Sequence, residues 1–179
     1  TSAGKDKRIS SVAANIGSPS TFASGAGLIQ SATWDTSQNA FVLPYDITGV
    51  TPKIRAGTVS GTSVTYGTEV ELTSSSSTSH ATVSSNKNGG GIVTYDDNND
   101  LYLQTFNLSG SAITVGNQVT IKSGTGSDRT QGSHSCYLGE DGGSHYFACA
   151  YDWTAASGAG NFSRIIKYDG QNNTTLGAE

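Results

Sequence analysis

The sequence predicts an all-β protein made of tandem four-stranded antiparallel units of about 50 residues, β-propeller-like in architecture. Three observations carry this. Apolar and polar residues alternate with a period of two: Val93 and Tyr95, then Leu101, Leu103 and Thr105, stand between polar or small neighbours, the pattern of half-buried strands. Turn formers punctuate these runs. The central Asn residues of 97–100, DNND, tolerate the left-handed backbone of a type I′ hairpin, and Ser109, Gly110 and Ser111 break the chain again. Finally, the pattern recurs. Residues 57–70, GTVSGTSVTYGTEV, lie over 105–119, TFNLSGSAITVGNQV, so that Gly61 and Gly110 are 49 residues apart, as are Gly67 and Gly116. Residues 17–25, GSPSTFASG, lie over 116–124, GNQVTIKSG, and a Tyr-Asp pair stands at Tyr45-Asp46, Tyr95-Asp96 and Tyr151-Asp152.

In chain order, residues 1–25 read as the trailing strands of an incomplete unit, with Pro19 confining the second to an edge or an irregular strand. Residues 26–75 are the first unit, with strands expected at 28–34, 40–45, 53–59 and 64–72. The Ser/Thr run 73–79 is a polar linker. The second unit occupies 76–132; its strands run from His80 to about Lys122, Ile113, Val115, Val119 and Ile121 populate the last of them, and 123–132 is a second linker. Residues 133–179 are the third unit, incomplete at its C-terminus because LGAE at 176–179 matches YGTE at 66–69, in mid-strand. All belong to one propeller-like domain. Three and a half units do not close a ring of about 4–8 blades. The chain therefore reads as a fragment of a larger propeller or repeat array, partnered by other copies or other segments of the same large chain. Strand edges cut open at its ends invite self-association.

Composition narrows the function. With 23 Gly and only 13% charged residues, the chain is too rich in small residues for a helical protein, and its β-branched patterning argues against disorder. A net charge of −4 offers no basic footprint for nucleic acid. No apolar run approaches the roughly 20 residues of a membrane span. The nucleophile-elbow, zinc-protease and phosphate-loop patterns are absent, as is the sialidase-type aspartate box, so catalysis is not expected and neither is a cofactor or a metal. The acidic run 96–100 lacks the Gly and Glu of a calcium loop and reads as a turn. The sequons at Asn107, Asn161 and Asn172 are what a chain rich in Asn, Ser and Thr produces by chance.

Several residues remain as candidate sites. Asp141, Gly142, Gly143 and Ser144 form a two-residue Gly-Gly hairpin, and counting outward from it sets Cys136 opposite Cys149 in a non-hydrogen-bonded pair. The two form either a cross-strand disulfide or a pair of buried thiols side by side. His80 and His134 each open the first strand of a unit; they either flank a ligand groove or are strand-end polar groups. The third unit is longer than the second, and the extra residues enter after Tyr151-Asp152, as an expected loop at 153–163, WTAASGAGNFS. Unit-specific insertions tend to lie on the binding face. On that face Trp153 and Phe162, with Tyr151 and Asp152 beside them, either stack on a sugar ring or fold back as a cap.

GTVSGTSVTYGTEV at 57–70 and IVTYD at 92–96 resemble repeats found in large virion structural and tail-fibre-like proteins of marine cyanobacterial phages, where they occur in long tandem arrays. The resemblance covers residues 28–121 and departs at the two Cys and at the Trp153 segment. It implies an extracellular or virion-surface protein that contacts the host surface, and it has no catalytic residues to carry over. The sequence thus predicts a non-enzymatic structural or adhesive protein in contact with surface glycans. The alternatives are a carbohydrate-binding propeller lectin, or the propeller domain of a glycan-cleaving enzyme whose active site lies outside these residues.

Overall fold

Short alternating runs separated by tight turns fold as antiparallel strands because each run can bury one face only against a neighbouring layer. The computed structural model describes residues 21–23, 27–29, 31–47, 51–72, 80–97, 99–124, 129–155, 158–169 and 173–179. The linker 73–79 and most of the trailing strands expected within 1–25 lie outside them; of the latter, residues 21–23 are described and are not in a strand. The first sheet contains β1 (Gly27–Leu28), β2 (Thr33–Asp35), β3 (Ala40–Ile47), β4 (Lys53–Ser60), β5 (Ser63–Tyr66) and β6 (Val70–Glu71). Here β1 and β2 both pair with β3, and β5 and β6 both pair with β4, so two of the four expected strands are interrupted. The second sheet contains β7 (Ala81–Ser85), β8 (Gly90–Asp97), β9 (Asp100–Ser109) and β10 (Ala112–Lys122); the third contains β11 (Arg129–Asp141), β12 (Ser144–Ala155), β13 (Gly158–Tyr168) and β14 (Thr174–Leu176). Both are four-stranded antiparallel meanders. β11 begins inside the stretch expected as a linker, four residues before Ser133.

The sheets stack in series, and the inner strands of the second are covered on both faces. On one side Ala81, Val83, Val93, Tyr95, Phe106 and Leu108 close on Ala40, Val42, Ile54 and Ala56 of the first sheet. On the other, Ile92, Leu101 and Leu103 close on Phe147, Trp153, Ile166 and Tyr168 of the third. β8 is therefore buried throughout instead of alternating. Each large aliphatic or aromatic side chain so buried contributes about 1.5–3 kcal/mol.

The last strand of the second sheet serves both cores. A bulge between Val115 and Gln118 adds one residue to β10, and one residue reverses the face. Ile113 and Val115 join the core with the first sheet, whereas Val119 and Ile121 join the core with the third. The break between β5 and β6 falls at the corresponding place in the first sheet. There Gly67 lies so close to the turn after β9 that an added Cβ would meet the Ser111 carbonyl oxygen at 1.8 Å.

Three tyrosines take like positions. Tyr45, Tyr95 and Tyr151 stand on successive sheets, and each packs on a residue from just before its own sheet. Phe22 meets Tyr45 edge-on with ring centroids 5.1 Å apart. The Leu72 carbonyl accepts the Tyr95 hydroxyl at 3.1 Å. Ile121 shares a core with Tyr151. Gly67 and Gly177 likewise each donate their backbone N–H across to the preceding strand, to Ala56 at 2.9 Å and to Ile165 at 2.8 Å.

Candidate functional site

The third sheet departs from the second by strand length rather than by a loop. Expected as an insertion, 153–163 instead continues the ladder: Trp153 pairs with Gly160 and Ala155 with Gly158. The extra residues lengthen β12 and β13 because backbone donors and acceptors are better satisfied in a ladder than in a loop. Alternation along β12 then sends Phe147, Cys149, Tyr151 and Trp153 into the core. Trp153 is 6% exposed and has the Lys122 ammonium over its ring at 5.8 Å. It is a packing residue and offers no platform for a sugar. Phe162 stacks on Tyr151 at 5.8 Å with an interplanar angle of 26°, and the Lys122 ammonium also sits over its ring. The Tyr151 hydroxyl donates to the Glu179 carboxylate. Burial first, and then that carboxylate, raise the Tyr151 phenol above its ordinary value. The Lys122 ammonium donates to both Glu179 oxygens, at 2.9 and 2.8 Å, and with the Tyr151 hydroxyl it holds Glu179 below the usual carboxylate range.

The opposite face of this sheet carries an open cleft of about 360 Å³ lined by Gly132, His134, Ala150, Tyr151, Asp152, Asn161 and Phe162. Register explains its shape. Gly132 faces Asp152 and Asp152 faces Asn161; one rung on, Ser133, Tyr151 and Phe162 align; next come His134, Ala150 and Ser163. Neighbouring rungs point to opposite faces. The middle rung therefore turns its side chains to the core and leaves its backbone as the floor of the cleft, while Asp152, Asn161 and His134 form the walls. Space opens because Gly132 has no side chain and Ala150 only a methyl. A Cβ built on Gly132 would still be 4.0 Å from the Asp152 carboxylate.

Of the residues singled out from sequence, His134 and Asp152 thus meet at the cleft with their side chains, and Tyr151 and Phe162 only from beneath it. His80 does not line it. The His80 backbone N–H donates to the Asp96 carboxylate at 2.6 Å, and its ring nitrogen lies 3.8 Å from the same oxygen. His80 and His134 are also out of step: His80 lies across from Asp96, a place taken in the third sheet by Gly132. In the acidic run, Asp97 and Asp100 close a hairpin. The Asp100 carboxylate accepts the Tyr102 hydroxyl at 2.7 Å and the Gly124 amide at 2.8 Å, as a turn residue would.

The expected facing of Cys136 and Cys149 does not occur. The Gly-Gly turn forms as read, with Gly142 and Gly143 at φ of 57° and 79°. A bulge between Tyr137 and Gly139 then shifts the register by one, so Cys136 faces Ala148 and Cys149 faces Ser135. Gly139 takes a φ of 146° there, a conformation L side chains rarely adopt. One residue of slip puts the two thiols on opposite faces: both are free, Cys136 exposed and Cys149 buried. Burial, and secondarily Cys136, push the Cys149 thiol up to about 12.

Two residues that matter were not read from the sequence. Asn161 entered only as a sequon, and its place beside Asp152 depends on the β12–β13 register. Asp35 was missed; the signal was an Asp with a Ser two residues on in a polar stretch between strands, an Asx-turn signature. It is fully buried and joins the first two sheets. One carboxylate oxygen accepts the Ser37 amide and hydroxyl and the Gln38 amide, at 3.0, 2.7 and 3.0 Å. The other accepts the Ser85 hydroxyl at 2.6 Å and the Gly89 amide at 2.9 Å. No protein-family model, curated protein or solved structure matches this chain.

Proposed function

We propose that this chain is a non-enzymatic structural and adhesive repeat protein of a virion or cell surface, propeller-like in the way its sheets stack, that contacts surface glycans. The observation that carries the reading is the recurring place of a tyrosine against a residue from just before its sheet. Phe22 precedes Tyr45 by 23 residues and Leu72 precedes Tyr95 by 23; the first meets its tyrosine ring to ring and the second accepts the tyrosine hydroxyl at its carbonyl. A chain that adds like sheets in series is suited to extended surface structures, where length and rigidity are the function. The virion setting and the location outside the cell rest on the likeness of residues 28–121 to phage repeats.

The cleft on the third sheet favours a second reading, a carbohydrate-binding lectin, which differs in making recognition the primary task. One experiment tests both. The labelled chain is applied to an array of immobilised cell-surface glycans, and the glycans are then released and weighed by mass spectrometry. Retention on a subset of glycans with their masses unchanged is expected. Shortened glycans would make it an enzyme, and no retention anywhere would remove the adhesive role.

A further inference from the structure

We infer that the cleft on the outer face of β11, β12 and β13 is a binding site for a neutral pyranose, held by Asp152, Asn161 and His134 over a floor formed around Ala150. The inference rests on the surface-glycan reading for the source of the sugar, and on the cleft itself for the chemistry.

Comparison of the second and third sheets shows why a cleft stands there. With the Tyr-Asp pairs aligned, Leu101 faces Asp96 and Leu103 faces Thr94 in the second sheet, while Asn161 faces Asp152 and Ser163 faces Ala150 in the third. Leu101 and Leu103 are fully buried against the third sheet. Their counterparts Asn161 and Ser163 are exposed. Gly132 likewise takes the place of His80. The face that seals one sheet onto the next has thus lost its large apolar residues and gained hydrogen-bonding groups around an open space of about 360 Å³. That volume is at the small end for a ligand pocket.

The lining selects among ligands. Asp152 supplies an acceptor-only carboxylate, Asn161 both an amide donor and an acceptor, and His134 a ring with one of each when neutral. They come from three adjacent strands: Asp152 and Asn161 face each other on one rung, and His134 stands two rungs on beside Ala150, so the three bracket the cleft from two ends. Vicinal hydroxyls, each a donor and an acceptor, match the pair of Asp152 and Asn161, and a hydroxyl across the ring would reach towards His134. The Ala150 methyl and the flat backbone rung beneath suit the C–H face of a sugar ring. Phosphate-bearing ligands are disfavoured, since the lining holds a carboxylate and neither Lys nor Arg. A divalent cation is disfavoured because no cluster of three His, Cys, Asp or Glu stands among the described residues. The same carboxylate opposes sialic and uronic acids, whose own charge would be set against it. That leaves neutral hexoses and N-acetylhexosamines.

The test uses the full chain, labelled with nitrogen-15, and the methyl glycosides of glucose, galactose, mannose and N-acetylglucosamine. At least one should shift the backbone amides of Gly132, Ala150 and Asn161 saturably at millimolar concentration. Ala150→Leu restores bulk at an exposed position and should weaken that binding at least tenfold with an unchanged melting temperature. Asp152→Asn, nearly isosteric, should do the same if Ala150→Leu fails to fold. Methyl glucuronide should bind at least tenfold more weakly than methyl glucoside. The assignment is overturned if none of the four glycosides moves those amides, if the folded variants bind like the parent, or if the glucuronide binds equally well. The outcomes separate from those of the surface reading. If the glycan array retains parent and Ala150→Leu alike, the surface role stands and the cleft is not its site. If the chain binds methyl glycosides but no array glycan, the cleft stands and the surface role falls.

Discussion

Asp35 shows how much a single buried side chain decides in this molecule. Burial pushes its carboxyl up, but hydrogen bonds from Ser85 and Ser37 and from the amides of Gly89 and Gln38 outweigh this and hold it below the ordinary value of 3.8. It is therefore ionised at neutral pH and fully paired. Hydrogen bonds to a charged group contribute about 1.5–3 kcal/mol each. Asp35→Ala should lower the unfolding free energy in urea by about 3 kcal/mol or more, because it leaves several buried donors without an acceptor. The pH dependence has a definite sign. A carboxylate whose pKa is depressed in the folded state adds stability that is complete above its unfolded value and is lost as pH falls through the folded one. The parent should lose stability below about pH 3.8 in a way that Asp35→Asn does not. Parallel curves would show that Asp35 does not carry the acid sensitivity. Trp153 makes the complementary case. It is an aromatic that looked like a ligand platform and is 6% exposed. Trp153→Ala should destabilise the fold by about 3 kcal/mol, the cost of a large cavity; a melting temperature unchanged in calorimetry would return it to the surface.

At the scale of the element, the decisive features are single extra residues. The bulge in β10 divides one strand between two cores, and the bulge beside Gly139 parts two cysteines that the hairpin count had paired. The second has a direct readout. In the native protein a thiol reagent should modify Cys136 quickly and leave Cys149 untouched until denaturant is added, since Cys149 is buried and its thiol is pushed up to about 12. Mass spectrometry of peptides after brief alkylation measures this. Equal protection of both thiols, relieved only by a reductant, would mean that they are bonded and that the register without the bulge is the right one.

In the whole molecule, the second sheet is the common wall of two cores. Val93 faces the first sheet and Ile92, its neighbour, the third, and both are fully buried. If the three sheets form one cooperative body, Ile92→Ala and Val93→Ala should each lower a single transition, Ile92→Ala by about 2–5 kcal/mol. Two separated transitions in calorimetry, with each variant moving only one, would show that the stack is held together only weakly. Hydroxyl pairs also tie the layers. Thr94 bonds Thr82 at 2.8 Å and Ser133 of the third sheet at 3.0 Å, and Tyr168 donates to Asn107 at 2.9 Å. These buried groups must find partners across the junction, which favours one orientation of sheet on sheet.

What the sequence by itself determined is the local order of this protein. Period-two alternation and the Gly, Asn and Asp turns place most of the strands within a few residues, because both are short-range properties of the backbone. The spacing of 23 residues from Phe22 to Tyr45 and from Leu72 to Tyr95 stands in the sequence, whereas Ile121 precedes Tyr151 by 30. What only the tertiary structure decided is which way side chains point once a strand is long enough to bulge. A bulge is one residue in a run of similar residues, and nothing in the local pattern of residues marks where it falls. Cys136 and Cys149 were misplaced for this reason, and Trp153 because its segment extends the β12–β13 ladder instead of looping out. Asp152, Asn161 and His134 lie 27 residues apart at most, and only the pairing of three strands sets them side by side.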